Sequence, residues 1–258
     1  MIATSSFEKM PLQTYSCKKH GEFSGSPIKL PWGDNLDPQC PICVKEENQA
    51  QEEERQADFK KQEEKKREVS YRKMNIGKRF WDESFETFDP YTPELQVHLD
   101  ACRAFANDHQ GRMLIMIGKN GNGKDHLAVS ILKAIGGAMY SVFEIELLLK
   151  ESYSGKTSEM DIYQLLCVVP LLVINEIGKH KDGEWQRNFL SHVINKRYEN
   201  LMPSILISNK HLKDDCSCPE CLQNYVANDV ISRIIESGQI MVFTGDDYRY
   251  KKREMRGA

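Results

Sequence analysis

Three groups of residues have types and spacings that can do chemistry. The first is Gly118-Lys-Asn-Gly-Asn-Gly-Lys124-Asp125. Glycines at this spacing let the backbone wrap a polyphosphate with consecutive N–H groups aimed at it, and a following helix N-terminus adds partial positive charge. Gly118, Asn120, Gly121, Asn122, Gly123, Asp125 and His126 are candidate nucleotide contacts, and Lys124 is expected to reach the β- and γ-phosphates. The second group is Cys17-x-x-His20 with Cys40-x-x-Cys43, four ligands in two knuckle-like pairs that can each grip one face of a tetrahedral ion. The pattern predicts a structural Zn²⁺ site; it leaves no ligand position open and no acid–base pair nearby, so catalytic zinc is not expected. The third group is Cys216-x-Cys218-Pro-x-Cys221, with His211 close in sequence. It reads either as a second metal site or as a reduced loop or redox pair. Cys102 and Cys167 read as ordinary buried thiols.

The phosphate loop ends in Asp125 where its pattern has Ser or Thr. The usual hydroxyl ligates Mg²⁺, and a carboxylate can do so too, although its charge repels the β-phosphate unless the metal lies between them. A second apolar run, Leu171-Leu-Val-Ile-Asn175-Glu176, ends where nucleotide-hydrolysing proteins with this loop carry an Asp that holds Mg²⁺ and then a Glu that activates water. Here the first of those positions is Asn175. One carboxylate has moved from position 175 to position 125, so Asp125 is expected to compensate for Asn175. The opposing expectation is that metal handling has decayed and hydrolysis is slow or absent.

These residues need elements to hold them. From about Ile76 onward apolar runs at 113–117, 138–142, 170–174, 204–207 and 239–243 predict strands, and the segments 126–135, 144–153, 185–200 and 230–236 predict helices. Near-continuous apolar strands alternating with helices imply an α/β fold, a parallel sheet covered on both faces. Residues 45–68 are dominated by Lys, Arg, Glu, Asp and Gln, with only Ala50, Ala57 and Phe59 apolar. This reads as a solvated helix or spacer, or as a partner-binding helix. The expected organisation is a small zinc-ribbon-like module at 1–44, a charged helical linker at 45–75 and a nucleotide-binding domain at 76–258.

Composition narrows the function classes. The 258 residues carry 35 Lys and Arg against 38 Asp and Glu, a net charge of −3. That balance excludes wholesale electrostatic coating of DNA and leaves room only for local basic grooves. No apolar run approaches the ~18–20 residues of a membrane span. The segment Met1-Ile-Ala-Thr-Ser-Ser-Phe-Glu has neither the basic nor the apolar region of a secretory signal. A cytoplasmic location is therefore expected, with no membrane partner, and the eight cysteines point to metal ligation rather than to a disulfide framework.

Taken in order, Gly118-Lys-Asn-Gly-Asn-Gly-Lys-Asp-His-Leu-Ala128 and Leu171-Leu-Val-Ile-Asn-Glu-Ile-Gly178 resemble the bacterial DnaC helicase loaders, AAA+ P-loop ATPases that also include the transposition helper IstB. Phe80-Trp-Asp-Glu-Ser-Phe-Glu-Thr-Phe88 is similar to the stretch that enters the adenine pocket in this family, and loaders of this type also tend to lack Ser or Thr after the loop lysine. The resemblance runs from about Ile76 to the C-terminus. It implies ATP/ADP and Mg²⁺ as cofactors and Glu176 as the water-activating acid, with Asn175 standing where the family has Asp. It further implies that Asn209 senses the γ-phosphate, that Arg233 is a finger reaching a neighbouring subunit's nucleotide, and that Arg249 is a second sensor. Such a finger implies self-association. Single-stranded DNA contacts are implied at Tyr153 and Trp185, each of which can equally be a core residue. The basic run 249–253 either adds phosphate contacts or is a solvated terminus. The implied function is ATP-dependent delivery of a DnaB-type replicative helicase to single-stranded DNA at replication initiation in a bacterial host cell, with the zinc module and charged helix docking the helicase. The alternatives are an IstB-like transposition helper and a nucleotide-binding adaptor with little or no hydrolysis.

Overall fold

The computed structural model describes residues 8–30, 32–155, 157–179, 184–213, 216, 218–245 and 247–249. It divides into two compact units, Met1–Arg67 and Glu68–Ala258.

The first unit has short strands: β1 (Glu8–Lys9), β2 (Gln13–Cys17), β3 (Gly21–Gly25), β4 (Ile28–Lys29) and β5 (Asn35–Leu36). β2 and β3 form an antiparallel hairpin with Cys17 opposite Gly21, and β1, β4 and β5 form a second small antiparallel sheet. Tyr15 and Phe23 stack across the hairpin at 5.8 Å. Among the described residues of this unit only Pro27 and Cys40 are buried, far too little apolar surface to hold a fold without a staple. Helix α1 (Pro41–Lys73) then runs for 33 residues with none buried. Proline suits its first position because no helical partner for that N–H is lost. The helix surface carries the pairs Arg55–Glu52, Lys66–Glu63 and Arg72–Glu68, each worth only tenths of a kcal/mol. The polar composition of 45–68 accords with this lack of burial.

The second unit begins at Glu68, earlier than the change in composition at Ile76, because Tyr71 and Met74 already pack against its core. Its elements are α2 (Pro93–Asn107), β6 (Met113–Gly118), α3 (Lys124–Ile135), β7 (Ala138–Ser141), α4 (Val142–Ser152), α5 (Glu159–Val168), β8 (Leu172–Ile177), α6 (Glu184–Glu199), β9 (Ser204–Ser208), α7 (Asn228–Ser237) and β10 (Gly238–Phe243). The strands make one parallel sheet in the order β10-β6-β9-β8-β7. Leu95, Leu99, Leu127 and Ile131 of α2 and α3 pack with Leu114, Met116 and Ile205 in one buried cluster. Ile145, Leu166, Val193 and Ile234 of α4 to α7 pack with Ile115, Ile174 and Leu206 in the other. A sheet covered on both faces is the reason its strands read as unbroken apolar runs. Cys102 and Cys167 are buried in these layers, at 0% and 7% exposure, and burial pushes the Cys102 thiol up to about 12.

Two helices lacked a clear signal in the sequence. Helix α2 starts at a Thr92 cap that accepts from the Leu95 N–H, with proline at its first turn. Helix α5 starts at a reciprocal Ser158–Asp161 capping box. Among the described residues no helix is long and apolar enough to cross a membrane.

Candidate functional site

The carboxyl ends of β6, β8 and β9 open onto a cleft of about 570 Å³, the edge of a parallel sheet where ligands characteristically bind. Its floor is the loop before α3. Gly121 and Gly123 adopt φ of 81° and 88°, which other residues reach only with strain. Space enforces the same choice: a Cβ on Gly123 would lie 2.6 Å from the Phe88 ring, and one on Gly121 would collide with the Asp247 carboxylate. Lys124 is 5% exposed, and its Nζ donates to the carbonyls of Gly118 and Lys119 at 2.7 and 2.6 Å. Burial draws its pKa below the ordinary lysine value, so the ammonium is held by neutral acceptors in a site that would favour an anion.

The rest of the loop divides its labour. Asn120 is exposed on the cleft wall. The Asn122 side chain turns away, its amide donating to the carbonyls of Phe243 and Gly245 at 3.2 and 2.6 Å, which ties the loop to the end of β10. His126 donates from Nε2 to the Ser84 carbonyl at 2.8 Å and sits edge-on to Phe88 at 5.2 Å, so it pins the 80–88 segment beside the loop. Among the cleft residues that sequence reasoning missed are two stacked aromatics. Tyr91 stacks on Tyr248 at 5.1 Å, and the Tyr248 hydroxyl donates to Asp89 at 3.1 Å. Their only sequence signal is aromatic character in segments without helical or strand periodicity.

The two unusual positions meet. The Asn175 amide donates to Asp125 Oδ1 at 3.1 Å, and Asn175 Oδ1 accepts from the Glu176 N–H at 2.7 Å, so the amide is oriented from both ends. Burial raises the Asp125 carboxyl above the ordinary aspartate range, opposed by Lys124 and by the Asn175 hydrogen bond. Glu176 has φ of 61° at an irregularity in the β8–β9 pairing, a left-handed conformation that costs a non-glycine residue on the order of 1–3 kcal/mol and that tends to cluster at functional sites. Its carboxylate accepts from Lys179 Nζ at 2.5 Å. Asn209 follows β9 and lines the same cleft.

The arginines differ in placement. Arg249 lines the cleft and donates through Nε and Nη2 to the two Asp247 carboxylate oxygens at 2.8 and 2.7 Å. The remainder of the basic run, 250–253, lies outside the described residues. Among the described residues, Arg233 does not line the cleft; its guanidinium lies 5.0 Å over the Tyr198 ring of α6, and its Nη1 is buried without a hydrogen-bond partner among them. Tyr153 ends α4 at 73% exposure, and Trp185, at 43%, stacks on the buried Phe189 at 5.6 Å. Trp185 therefore combines a packed face with an accessible remainder, and neither aromatic lines the cleft.

In the first unit Cys17 ends β2, His20 sits in the hairpin turn, and Cys40 and Cys43 flank the start of α1. Their four ligand atoms lie within 4.8 Å of one another. The Cys17 and Cys43 sulfurs are 3.5 Å apart, and His20 Nδ1 is 3.9, 3.7 and 3.3 Å from the sulfurs of Cys17, Cys40 and Cys43. Bonds of ~2.3 Å to sulfur and ~2.0–2.1 Å to nitrogen around a tetrahedron put the ligand atoms roughly 3.5–3.8 Å apart, so the donor set fits Zn²⁺. His20 Nε2 lies 3.3 Å from Glu46, the kind of outer carboxylate that orients a ligating imidazole. The backbone N–H groups of Lys19 and His20 hold the Cys17 thiol down at about 6, while its hydrogen bond with Cys17 pushes Cys43 up to about 11, so without an ion one thiolate is shared between the two sulfurs.

A family model described as IstB-like ATP binding protein matches residues 47–256. The replicative helicase loader DnaC of Escherichia coli (strain K12) is 23% identical over 175 residues, covering 63% of this chain and 69% of that protein. The crystal structure of the DnaC helicase loader aligns with a TM-score of 0.56 at 26% identity, over 65% of this chain and 99% of that one. AMPPCP-bound DnaA from Aquifex aeolicus shares the fold, with a TM-score of 0.53 at 19% identity over 68% of this chain and 55% of the other. The matched family segment begins after the four residues of the N-terminal cluster.

Proposed function

The chain belongs to the family of IstB-like ATP-binding proteins and is an AAA+ ATPase, and on that premise we propose that it loads a DnaB-type replicative helicase onto single-stranded DNA at replication initiation. The observation that carries this reading is the likeness to the DnaC loader, which extends over 99% of that solved chain.

ATP binds the cleft with its base near Phe88 and Tyr91. Lys124 leaves the Gly118 and Lys119 carbonyls for the β- and γ-phosphates, where a charged acceptor makes roughly twice as strong a hydrogen bond. The backbone N–H groups of the loop and the N-terminus of α3 receive the remaining phosphate charge. Asp125 and Asn175 would hold Mg²⁺, which would supply positive charge to offset that of the phosphates. Their contact supports compensation: the carboxylate and its polar partner are both retained, with positions exchanged. Glu176 takes a proton from the attacking water once Lys179 releases its carboxylate, and Asn209 reports the γ-phosphate. Arg249 turns from Asp247 to the nucleotide. Arg233, outside its own cleft, serves a neighbouring subunit's nucleotide, so hydrolysis is tied to self-association.

The exposed rings of Tyr153 and Trp185 stack on DNA bases, each worth roughly 1–3 kcal/mol. The zinc module and α1 dock the helicase, and the setting is the bacterial cytoplasm. Mixing the chain with candidate replicative helicases and sizing the products with and without ATP tests the proposal. A nucleotide-dependent complex is expected; no complex with any helicase would reject it. The match to a family described as IstB-like motivates one second reading, a transposition helper, which would bind duplex DNA. Binding that prefers duplex over single strands across a salt series would select it.

A further inference from the structure

Between β9 and α7 lies a stretch that no step of the ATPase chemistry uses. His211 pairs with Cys221 in a parallel bridge: the His211 N–H donates to the Glu220 carbonyl at 3.1 Å, and the Leu222 N–H donates to the His211 carbonyl at 2.8 Å. This pairing sets the imidazole among three thiols. His211 Nε2 lies 3.4 Å from both the Cys216 and the Cys218 sulfur, and those two sulfurs are 3.4 Å apart. The ligand atoms of His211, Cys216 and Cys221 all fall within 4.8 Å of one another. The 3.4 Å separations among His211, Cys216 and Cys218 approach the roughly 3.5–3.8 Å edges of a tetrahedral zinc shell, and Cys221 stands within 4.8 Å of the first two of these. Thiols are weak donors and weak acceptors, so Cys216 and Cys218 gain little from gathering on one imidazole, and the Cys221 sulfur beside them has, among the described residues, only the Lys213 carbonyl at 3.7 Å and Gln223 at 4.0 Å.

The chain also repeats a form. Cys218-Pro-Glu-Cys221 has the same Cys-Pro-x-Cys pattern as Cys40-Pro-Ile-Cys43 in the N-terminal cluster. The turn is closed by the Cys221 N–H donating to the Cys218 carbonyl at 3.1 Å, and the Asn224 amide donates to that same carbonyl at 2.7 Å. It is anchored rather than loose: Cys221 is 0% exposed and its neighbour Leu222 belongs to the main core.

We propose that His211, Cys216, Cys218 and Cys221 bind a second Zn²⁺ in a closed, structural Cys₃His site. Four protein ligands leave no position for water, so the ion does no chemistry. It staples the turn that runs from Asn209 to the helix bearing Arg233. That consequence rests on the roles proposed for those two residues, whereas the metal site does not.

The test counts zinc per chain in full-length protein by inductively coupled plasma mass spectrometry. The Cys17→Ser/Cys40→Ser variant isolates the second site. About one zinc retained per chain in it is expected, and near zero overturns the proposal whatever the N-terminal cluster does. Cys216→Ser/Cys218→Ser should lower the wild-type content by about one zinc, and an unchanged content overturns it. Should that variant fail to fold, Co²⁺ titration of Cys17→Ser/Cys40→Ser gives an independent readout. The visible bands of a tetrahedral, thiolate-rich cobalt site are expected at stoichiometric metal; their absence, or a Cys216–Cys218 disulfide in place of the metal, overturns it.

Discussion

Asp125 and Asn175 touch, so a change at one is felt at the other. Asp125→Asn leaves two amides facing each other and no carboxylate at either position. Single-turnover ATP hydrolysis should fall at least ~10-fold while nucleotide binding survives; an unchanged rate would defeat the compensation argument. The sharper experiment is a cycle. Asp125→Thr should lower the rate, and adding Asn175→Asp should restore it, with the coupling of roughly 0.5–3 kcal/mol typical of residues in contact. Additive losses would mean that the two positions act separately. Glu176 makes a second residue-scale prediction through its pair with Lys179. Both side chains are more than a third exposed, so the pair is worth at most ~1 kcal/mol. Lys179→Ala should then raise basal steady-state hydrolysis no more than ~5-fold, and a fall in rate would assign Lys179 a direct role at the nucleotide instead.

At the scale of elements the second unit depends on one residue that the sequence hides. Arg197 is 0% exposed, and its guanidinium donates to the carbonyls of Leu166, Val169 and Pro203 and to the Ser204 hydroxyl. It thereby joins the end of α5 to the segments leading into β8 and β9. Burial draws its pKa down to about 10, so it stays charged at neutral pH. Arg197→Met would orphan those buried carbonyls, and a loss of about 3 kcal/mol or more is expected. It should appear as a lower urea midpoint at constant m-value; an unmoved midpoint would contradict this reading. The five parallel strands and the phosphate loop were legible because their signals are local: unbroken apolar runs, and glycines at fixed spacing. Arg197 was not, since on α6 it looks like one more polar residue beside Lys196. Helix α5 was obscured because Leu165 and Val168 are exposed, which blurs its periodicity. The short strands β2 and β3 carry little apolar face to read beyond the Tyr15–Phe23 pair, too little to set a strand signal apart from the surrounding loops. At the site, residue types marked Asp125, Asn175 and Glu176, but only the fold shows that the first two are in contact and that Tyr91 and Tyr248 stack.

For the whole molecule, a near-neutral charge and a long solvated helix suit a protein whose main partner is another protein. The small N-terminal unit has almost no core, so its order should depend on metal. Cys40→Ser, or chelation, should abolish helicase binding while ATP affinity stays within ~2-fold of wild type, because the nucleotide cleft is built wholly from the second unit. A parallel loss of ATP binding would show that the two units are not independent in this respect. The most direct measurement of all is transfer of a DnaB-type helicase onto closed circles of single-stranded DNA, followed by gel filtration of the circles. With this chain and ATP, helicase should co-elute with DNA well above the level of helicase alone, and Lys124→Ala should remove the gain. If helicase on the circles is the same with and without the chain, it is not a loader.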